Sequence, residues 1–103
     1  MTVHADVYFP TYVAGRDFAD RMADRLGDVT ERDLVIDATA LLSGTSSFAA
    51  QLIERLLVEG KADELVVVGA PEDFGRYLED AAGHAGVAHK LQLSRTFPVG
   101  VRP

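Results

Sequence analysis

Residues 33–60, with the sequence DLVIDATALLSGTSSFAAQLIERLLVEG, contain the pattern that decides the fold. Residues 34–36 are apolar without alternation, which is typical of a strand covered on both faces. The hydroxyl-rich residues 38–47 predict a loop that leads into a helix N-terminus. The residues that follow have helical spacing and predict an amphipathic helix ending at Gly60. Its apolar face consists of Phe48, Leu52, Ile53, Leu56 and Leu57.

Strands are predicted on both sides of this stretch. Residues 2–9 alternate between apolar and polar side chains, as a half-buried strand does, and Pro10 ends the run. Residues 64–69 repeat the buried-strand pattern, and residues 87–93 alternate again. The apolar members of the first strand, which are expected to share one face, are Val3, Ala5, Val7 and Phe9.

Two more helices are predicted between these strands. Residues 15–26 place Phe18, Met22 and Leu26 four residues apart, which is typical of an amphipathic helix. Pro71 and the two acidic residues after it mark the start of a third helix. The apolar face of that helix is predicted to consist of Phe74, Tyr77, Leu78, Ala81 and Ala82.

The resulting order, β-α-β-α-β-α-β, predicts a single α/β domain with a mainly parallel four-stranded sheet. Because only three helices are available, we expect them to lie mostly on one face of that sheet. The domain is predicted to span residues 1–93. Residues 94–103, with two prolines and a glycine, are predicted to form a C-terminal tail. Phe97 in this tail either packs on the domain or docks into a partner.

The composition excludes several classes of function. The chain has 103 residues and a net charge of -6, which argues against nonspecific binding to nucleic acid or anionic lipid. It has no cysteine, so disulfides, zinc–thiolate sites and thiol catalysis are excluded. No apolar run is long enough to span a membrane, and the N-terminus lacks the features of a signal peptide. We therefore expect a cytoplasmic protein without nucleic-acid or membrane partners.

The strand that ends in Asp37, its loop and the run Thr45-Ser46-Ser47-Phe48-Ala49 together resemble the STAS family of sulfate-transporter and anti-sigma-factor-antagonist domains. The serine–phenylalanine–alanine run is similar to the uncharacterised STAS-like domains of bacteria. The run Gly-Arg-Asp-Phe-Ala at residues 15–19 is also similar to that group. The resemblance covers roughly residues 3–93 and implies the STAS-like α/β fold.

This resemblance implies a non-enzymatic, regulatory protein-interaction module. In anti-sigma-factor antagonists the first serine of the motif is phosphorylated by a partner kinase, and that serine aligns with Ser46. The implied partner is an anti-sigma factor or a kinase-like protein. Two positions depart from the family pattern: Thr45 replaces its aspartate and Phe48 replaces its glycine. The expected partner-binding loop consists of Ser43, Gly44, Thr45, Ser46 and Ser47.

The hydroxyls at this helix start also have a purely structural interpretation. Unpaired N–H groups and the positive end of the helix dipole meet there, so Thr45 or Ser46 can act as an N-cap. A phosphate on Ser46 would be tolerated at the same place and would change the binding surface. The two roles can coexist.

Other chemistry on the same segment stays open as an alternative. The Ser43–Phe48 loop could bind a small ligand or a nucleotide, or it could supply a catalytic serine with His84 or His89 as base. Asp37 could be a phospho-acceptor, or it could simply accept hydrogen bonds from loop N–H groups. An exposed apolar patch on the first strand or second helix would instead indicate an oligomeric subunit.

No cofactor or metal site is predicted. A phosphate-binding loop needs several glycines before a helix, and each candidate loop here offers one. The three histidines lack the spacing of metal ligands. They are His4, His84 and His89.

Overall fold

A four-stranded parallel sheet and three α-helices form the centre of the molecule in a computed structural model, which describes residues 3–102. The strands are β1 (Val3–His4), β2 (Val7–Tyr8), β3 (Tyr12–Val13), β4 (Asp33–Asp37), β5 (Ser43–Gly44), β6 (Glu64–Val68), β7 (Leu91–Ser94) and β8 (Val101–Arg102). The α-helices are α1 (Arg16–Leu26), α2 (Ser46–Ile53) and α3 (Glu72–His84). A π-helical segment (Glu54–Glu59) continues α2, and a 3-10 turn (Ala88–Lys90) precedes β7.

The central sheet has the strand order β2-β4-β6-β7, and every pair in it is parallel. This confirms the predicted α/β fold with a mainly parallel four-stranded sheet. The two longest strands, β4 and β6, lie in the middle and pair along their whole length, from Asp33 opposite Glu64 to Asp37 opposite Val68. Within residues 3–102, no helix has the length and apolar character needed to cross a membrane.

All three helices pack on one face of this sheet. Leu34 and Ile36 of β4, with Leu65 and Val67 of β6, belong to the main core together with residues of α1, α2 and α3. This agrees with the prediction that the helices lie mostly on one face. The helix residues at its centre are Ala19, Met22, Phe48, Leu52, Phe74 and Leu78.

The segment predicted to be a tail covers the other face of the sheet. Val35, Val66 and Val68 point to this second face, and Phe97 and Val101 pack against them. Strand β8 adds backbone pairing, since it lies parallel to β1. Phe97 therefore packs on the domain, which was the first of its two interpretations. Pro103 lies outside the described residues.

The first strand is not continuous, which contradicts the prediction. It is divided into β1 and β2 around Asp6, whose carboxylate accepts a hydrogen bond from the Val35 N–H at 2.8 Å. The side chain of Asp6 thus takes a place that a strand carbonyl would otherwise hold, and the chain turns there. As a result Ala5 lies on the second face of the sheet and Phe9 lies in the main core. The predicted common face of these residues does not form, and Thr2 lies outside the described residues.

The predicted last strand begins too early. The Val87 N–H still donates to the Ala82 carbonyl at the end of α3, and the Lys90 N–H donates to the Val87 carbonyl in the 3-10 turn. These bonds keep residues 87–90 out of the ladder, so that β7 begins at Leu91. His89, predicted to be in the strand, is exposed on this turn.

The second helix ends at Gly60, as predicted, and all five residues of its predicted apolar face are buried. Its last part is π-helical, which the spacing did not indicate. Gly60 fits there because a Cβ would lie 2.6 Å from the Arg55 carbonyl oxygen.

In the third helix, Phe74 and Leu78 are buried as predicted. Tyr77 is 38% exposed, which contradicts its predicted place in the core.

Candidate functional site

The predicted partner-binding loop begins as a short strand. Ser43 and Gly44 form β5, which lies parallel to β3 with Tyr12 opposite Ser43 and Val13 opposite Gly44. The prediction of a loop is therefore wrong for these two residues. Gly44 lies directly over the main core, and a Cβ there would be only 2.5 Å from Cδ1 of Phe74. This close packing fixes the path of the chain into α2.

Thr45 is the N-cap of α2. Its Oγ1 accepts a hydrogen bond from the Phe48 N–H at 3.2 Å, as the N-cap geometry requires. The same oxygen accepts a bond from the Gly15 N–H, also at 3.2 Å, at the residue that precedes α1. In addition, the Thr45 N–H donates to the Val13 carbonyl at 3.1 Å. The Thr45 side chain therefore joins the starts of two helices.

Ser46 is the first residue of α2 and is exposed. Since Thr45 takes the capping role, the Ser46 hydroxyl is left at the protein surface. Ser47 is half-buried, and its Oγ lies 3.2 Å from Thr45 Oγ1. Ser46 thus lies in the first turn of α2 and is accessible to solvent.

Phe48 belongs to the core and not to the surface of the site. Its side chain is fully buried in a cluster with three other aromatic rings. The ring centroids of Phe9 and Phe18 lie 5.6 and 5.5 Å away in edge-on arrangements, and that of Phe74 lies 6.1 Å away. Such pairs add to the stabilisation from area burial. Phe48 therefore anchors the start of α2 in the core.

Ser46 and Ser47 line a shallow hollow of about 340 Å³ that is open to solvent. Helix α1 contributes Arg16 to this hollow, and α3 contributes Tyr77 and three other residues, Asp80, Ala81 and His84. A second hollow of about 570 Å³ shares Arg16 and His84 and continues between α2 and α3. The two hollows form one groove beside the start of α2.

Three polar residues that line the 340 Å³ hollow were not predicted as site residues. Arg16 is predicted only as part of the amphipathic helix at residues 15–26, and Tyr77 is predicted on the apolar face of the third helix. Asp80 has no predicted role. The Gly-Arg pair at residues 15–16, within the run that resembles the STAS-like domains, was the available signal for Arg16. Nothing in the periodicity of α3 distinguishes Tyr77 from a core residue.

The two candidate histidines are in different places. His84 lines the same hollow as the serines, and its Nδ1 donates to the Asp80 carbonyl at 2.8 Å. His89 lies on the exposed 3-10 turn. Across residues 3–102 there is no group of three or more His, Asp or Glu side chains arranged to hold a metal ion.

Asp37 lies at the end of β4 and is buried. One of its carboxylate oxygens accepts hydrogen bonds from the Thr39 N–H at 2.9 Å and from the Thr39 hydroxyl at 2.6 Å. This confirms the interpretation in which Asp37 accepts bonds from loop N–H groups. These two bonds tie the end of β4 to the loop that follows it.

Charged contacts join α1 to α2 beside the groove. The Gln51 amide donates to Asp20 at 2.8 Å, and this bond, together with the Arg55 guanidinium, lowers the pKa of the Asp20 carboxyl. Hydrogen bonds to Asp24 and Asp20 raise the pKa of Arg55. Gln51 also accepts a long bond of 3.4 Å from Arg16. The groove wall formed by α1 is therefore fixed relative to α2.

Exposed apolar side chains flank the segment on its other side. Leu42 is 78% exposed and Tyr12 is 56% exposed, and both are adjacent to Ser43, one in sequence and one across the β3–β5 pair. The Leu42 and Ser43 N–H groups both donate to the Thr11 carbonyl, which holds this part of the chain in place. A fixed backbone thus presents two large apolar groups to solvent.

No family model matches the chain, and comparisons with curated proteins and with solved structures likewise found no match. The function is therefore inferred from the start of α2 and its surroundings. Those surroundings combine an exposed hydroxyl at Ser46, an open polar groove on one side and the apolar pair Tyr12 and Leu42 on the other.

Proposed function

We propose that this protein is a regulatory protein-interaction module that resembles the anti-sigma-factor antagonists. Its partner, an anti-sigma factor or a kinase-like protein, contacts residues 43–47 and the start of α2. The observation that carries this proposal is the position of Ser46, exposed at the first residue of a helix that Thr45 already caps. A hydroxyl in that place is available to another protein without any loss of helix capping.

The apolar pair Tyr12 and Leu42 provides the contact area that such a partner needs. Large apolar and aromatic side chains near the centre of an interface contribute most of its binding free energy. Both side chains are exposed beside Ser43, on backbone that is held by hydrogen bonds. We infer that they are anchors of the interface and that Ser46 lies at its border.

Phosphorylation of Ser46 is the proposed switch. The kinase would transfer the terminal phosphoryl group of ATP to Ser46 Oγ, releasing ADP and the hydroxyl proton. Negative charge at the start of a helix is tolerated, because it complements the helix dipole. At an interface the same charge must be desolvated, which weakens binding. The modified protein therefore stays folded and releases its partner.

Pull-down from native cells, followed by binding assays with the partner that is found, tests this proposal. We expect Ser46→Asp to weaken the association and Ser46→Ala to leave it unchanged, without a loss of thermal stability in either variant. Gln92→Glu adds one negative charge at the exposed edge strand β7 and serves as the matched control. Equal affinity for the wild type and Ser46→Asp would refute the switch.

The alternative function is a small-ligand or nucleotide-binding site, or an enzyme site, that uses residues 43–48. The observation in its favour is the convergence of Arg16, Ser46, Ser47 and His84 on one hollow. The shallowness of that hollow favours a protein partner, since ligand sites are usually concave enough to bury most of the ligand. Calorimetric titration with ATP and with inorganic phosphate tests it, and binding below the millimolar range would support it.

A further inference from the structure

Arg16 and Ser46 are equivalent residues of two helices that begin side by side. Arg16 is the first residue of α1 and Ser46 is the first residue of α2. The two starts are tied together by the hydrogen bond from the Gly15 N–H to Thr45 Oγ1. The side chains of Arg16 and Ser46 then line the same hollow of about 340 Å³. A group attached to Ser46 Oγ is thus within the space that Arg16 also faces.

We propose that a phosphate on Ser46 is bound within the same chain by the guanidinium of Arg16, across the paired starts of α1 and α2. This inference rests on the proposed phosphorylation of Ser46 and adds the residue that receives the phosphate. The ligand is a phosphomonoester dianion that is covalently attached to the chain. Arg16 and Ser46 already line one hollow in the unmodified protein.

The present partner of Arg16 is a weak one. Its Nη1 donates to the neutral Gln51 Oε1 at 3.4 Å, near the upper limit for a hydrogen bond. A guanidinium bonds more strongly to a phosphate, because both groups are charged and two parallel N–H bonds can form. Gln51 keeps its bond to Asp20, so releasing Arg16 does not leave it without a partner.

Other groups around the hollow modify this interaction. The two helix starts contribute positive dipole ends, and the hydroxyl of Ser47 is a further donor. Asp80 of α3 faces the same hollow and repels a phosphate, as does Glu54 from the adjoining hollow. The phosphate therefore binds on the side of Arg16 and away from α3, where His84 also lies.

The consequence is a charge that is fixed in place. A free phosphoserine samples many rotamers, whereas one bound to Arg16 stays beside the groove at the border of the proposed interface. The unmodified protein presents a cation and a hydroxyl there, and the modified protein presents a bound dianion. A partner that fits the first surface meets unfavourable electrostatics at the second.

Phosphoserine inserted at position 46 by genetic code expansion tests this inference without the kinase or the partner. We expect ³¹P NMR titration to show a phosphate pKa lower by about half a unit or more in the folded protein than in urea, where it is about 6. Arg16→Gln should remove most of this lowering. Arg25→Gln, in the last turn of α1 and roughly 13 Å further along the helix, is the matched control and should retain it. An unchanged pKa lowering in Arg16→Gln would refute the inference.

A double-mutant cycle provides a second measurement that needs no phosphoserine. Ser46→Glu should raise the melting temperature more in the wild-type background than in Arg16→Gln, and equally in the wild type and Arg25→Gln. If Ser46→Glu changed the melting temperature equally in all three backgrounds, Arg16 would not bind the charge at position 46. If phosphorylation does not change partner binding while the pKa lowering depends on Arg16, the proposed switch fails and this inference stands. If phosphorylation weakens partner binding while the pKa lowering does not depend on Arg16, only this inference is refuted.

Discussion

The Gly15 N–H donates to Thr45 Oγ1 at 3.2 Å, so the residue before α1 is bound directly to the residue that caps α2. Thr45 Oγ1 accepts the Phe48 N–H at the same time. One hydroxyl oxygen therefore satisfies a donor at the start of each helix, and such donors are costly to leave unpaired when they are shielded from water. The geometry of the candidate site depends on this single side chain.

Replacing Thr45 by alanine should destabilise the protein by about 1–3 kcal/mol, since it removes an N-cap and a second hydrogen bond. Urea unfolding followed by circular dichroism measures the change. Thr45→Ser keeps the hydroxyl and should recover most of the loss. If Thr45→Ser and Thr45→Ala were equally destabilised, the hydroxyl would not be the cause.

Shortening a buried side chain of α2 or of its π-helical continuation should destabilise the protein more than Thr45→Ala does. Leu52→Ala or Leu56→Ala should cost about 2–5 kcal/mol, because each leaves a cavity beneath the sheet-facing side of the helix. Leu42→Ala is the matched control, and its effect on unfolding should stay within about 0.5 kcal/mol because that side chain is exposed. An unfolding midpoint that neither core substitution changes would contradict the burial of Leu52 and Leu56.

The two glycines 44 and 83 should respond to alanine in opposite directions. Gly44→Ala places a Cβ 2.5 Å from the Phe74 ring and should destabilise by about 1–3 kcal/mol. Gly83 lies inside α3, and a Cβ added there would have open space around it, so Gly83→Ala should stabilise by about 0.5–1 kcal/mol. Thermal melting of the two variants compares them, and a shift of the same sign would show that packing at Gly44 is not limiting.

Asp20 should make stability depend on pH in the acid range. Its pKa is lowered in the folded state from the ordinary value of 3.8, by the Gln51 hydrogen bond first and by Arg55 second. A lowered pKa means that the stabilisation is complete above the unfolded-state pKa and is lost as the pH falls through the folded-state pKa. The difference in unfolding free energy between the wild type and Asp20→Asn should therefore shrink below pH 3.8. If the difference in unfolding free energy stayed constant from pH 7 to pH 2, the effect of Asp20→Asn on stability would come from the shape of the side chain and not from its charge.

Periodicity was sufficient to predict the helices and the central strands. The spacing of Phe48, Leu52 and Leu56 directly reflects burial on one side of a helix, and β4 and β6 are apolar because both faces are covered. The edges of the sheet were predicted less well. The Asp6 side chain competes with the backbone for hydrogen bonds, and a pattern of apolar residues does not record such competition.

The candidate site was predicted only along its own segment. Ser46 and Thr45 follow from local rules for helix starts, so that their positions could be inferred from neighbours in the sequence. The contribution of Arg16 depends on how α1 lies against α2, and that of Tyr77 depends on how α3 lies against α2. Helix packing of this kind involves residues far apart in the chain, which a pattern along one helix cannot specify.

The pairing of β1 with β8 has a consequence for the order of folding. These strands lie near opposite ends of the described chain, so their pairing closes the longest loop in the molecule. The core between the helices and the sheet is complete without them, since the residues that form it or pack against it run from Val7 to Leu93. Contacts between distant residues form late when loop closure is costly. During synthesis on the ribosome the helical side can therefore assemble first, and the second face of the sheet closes only after residues 97–101 have emerged.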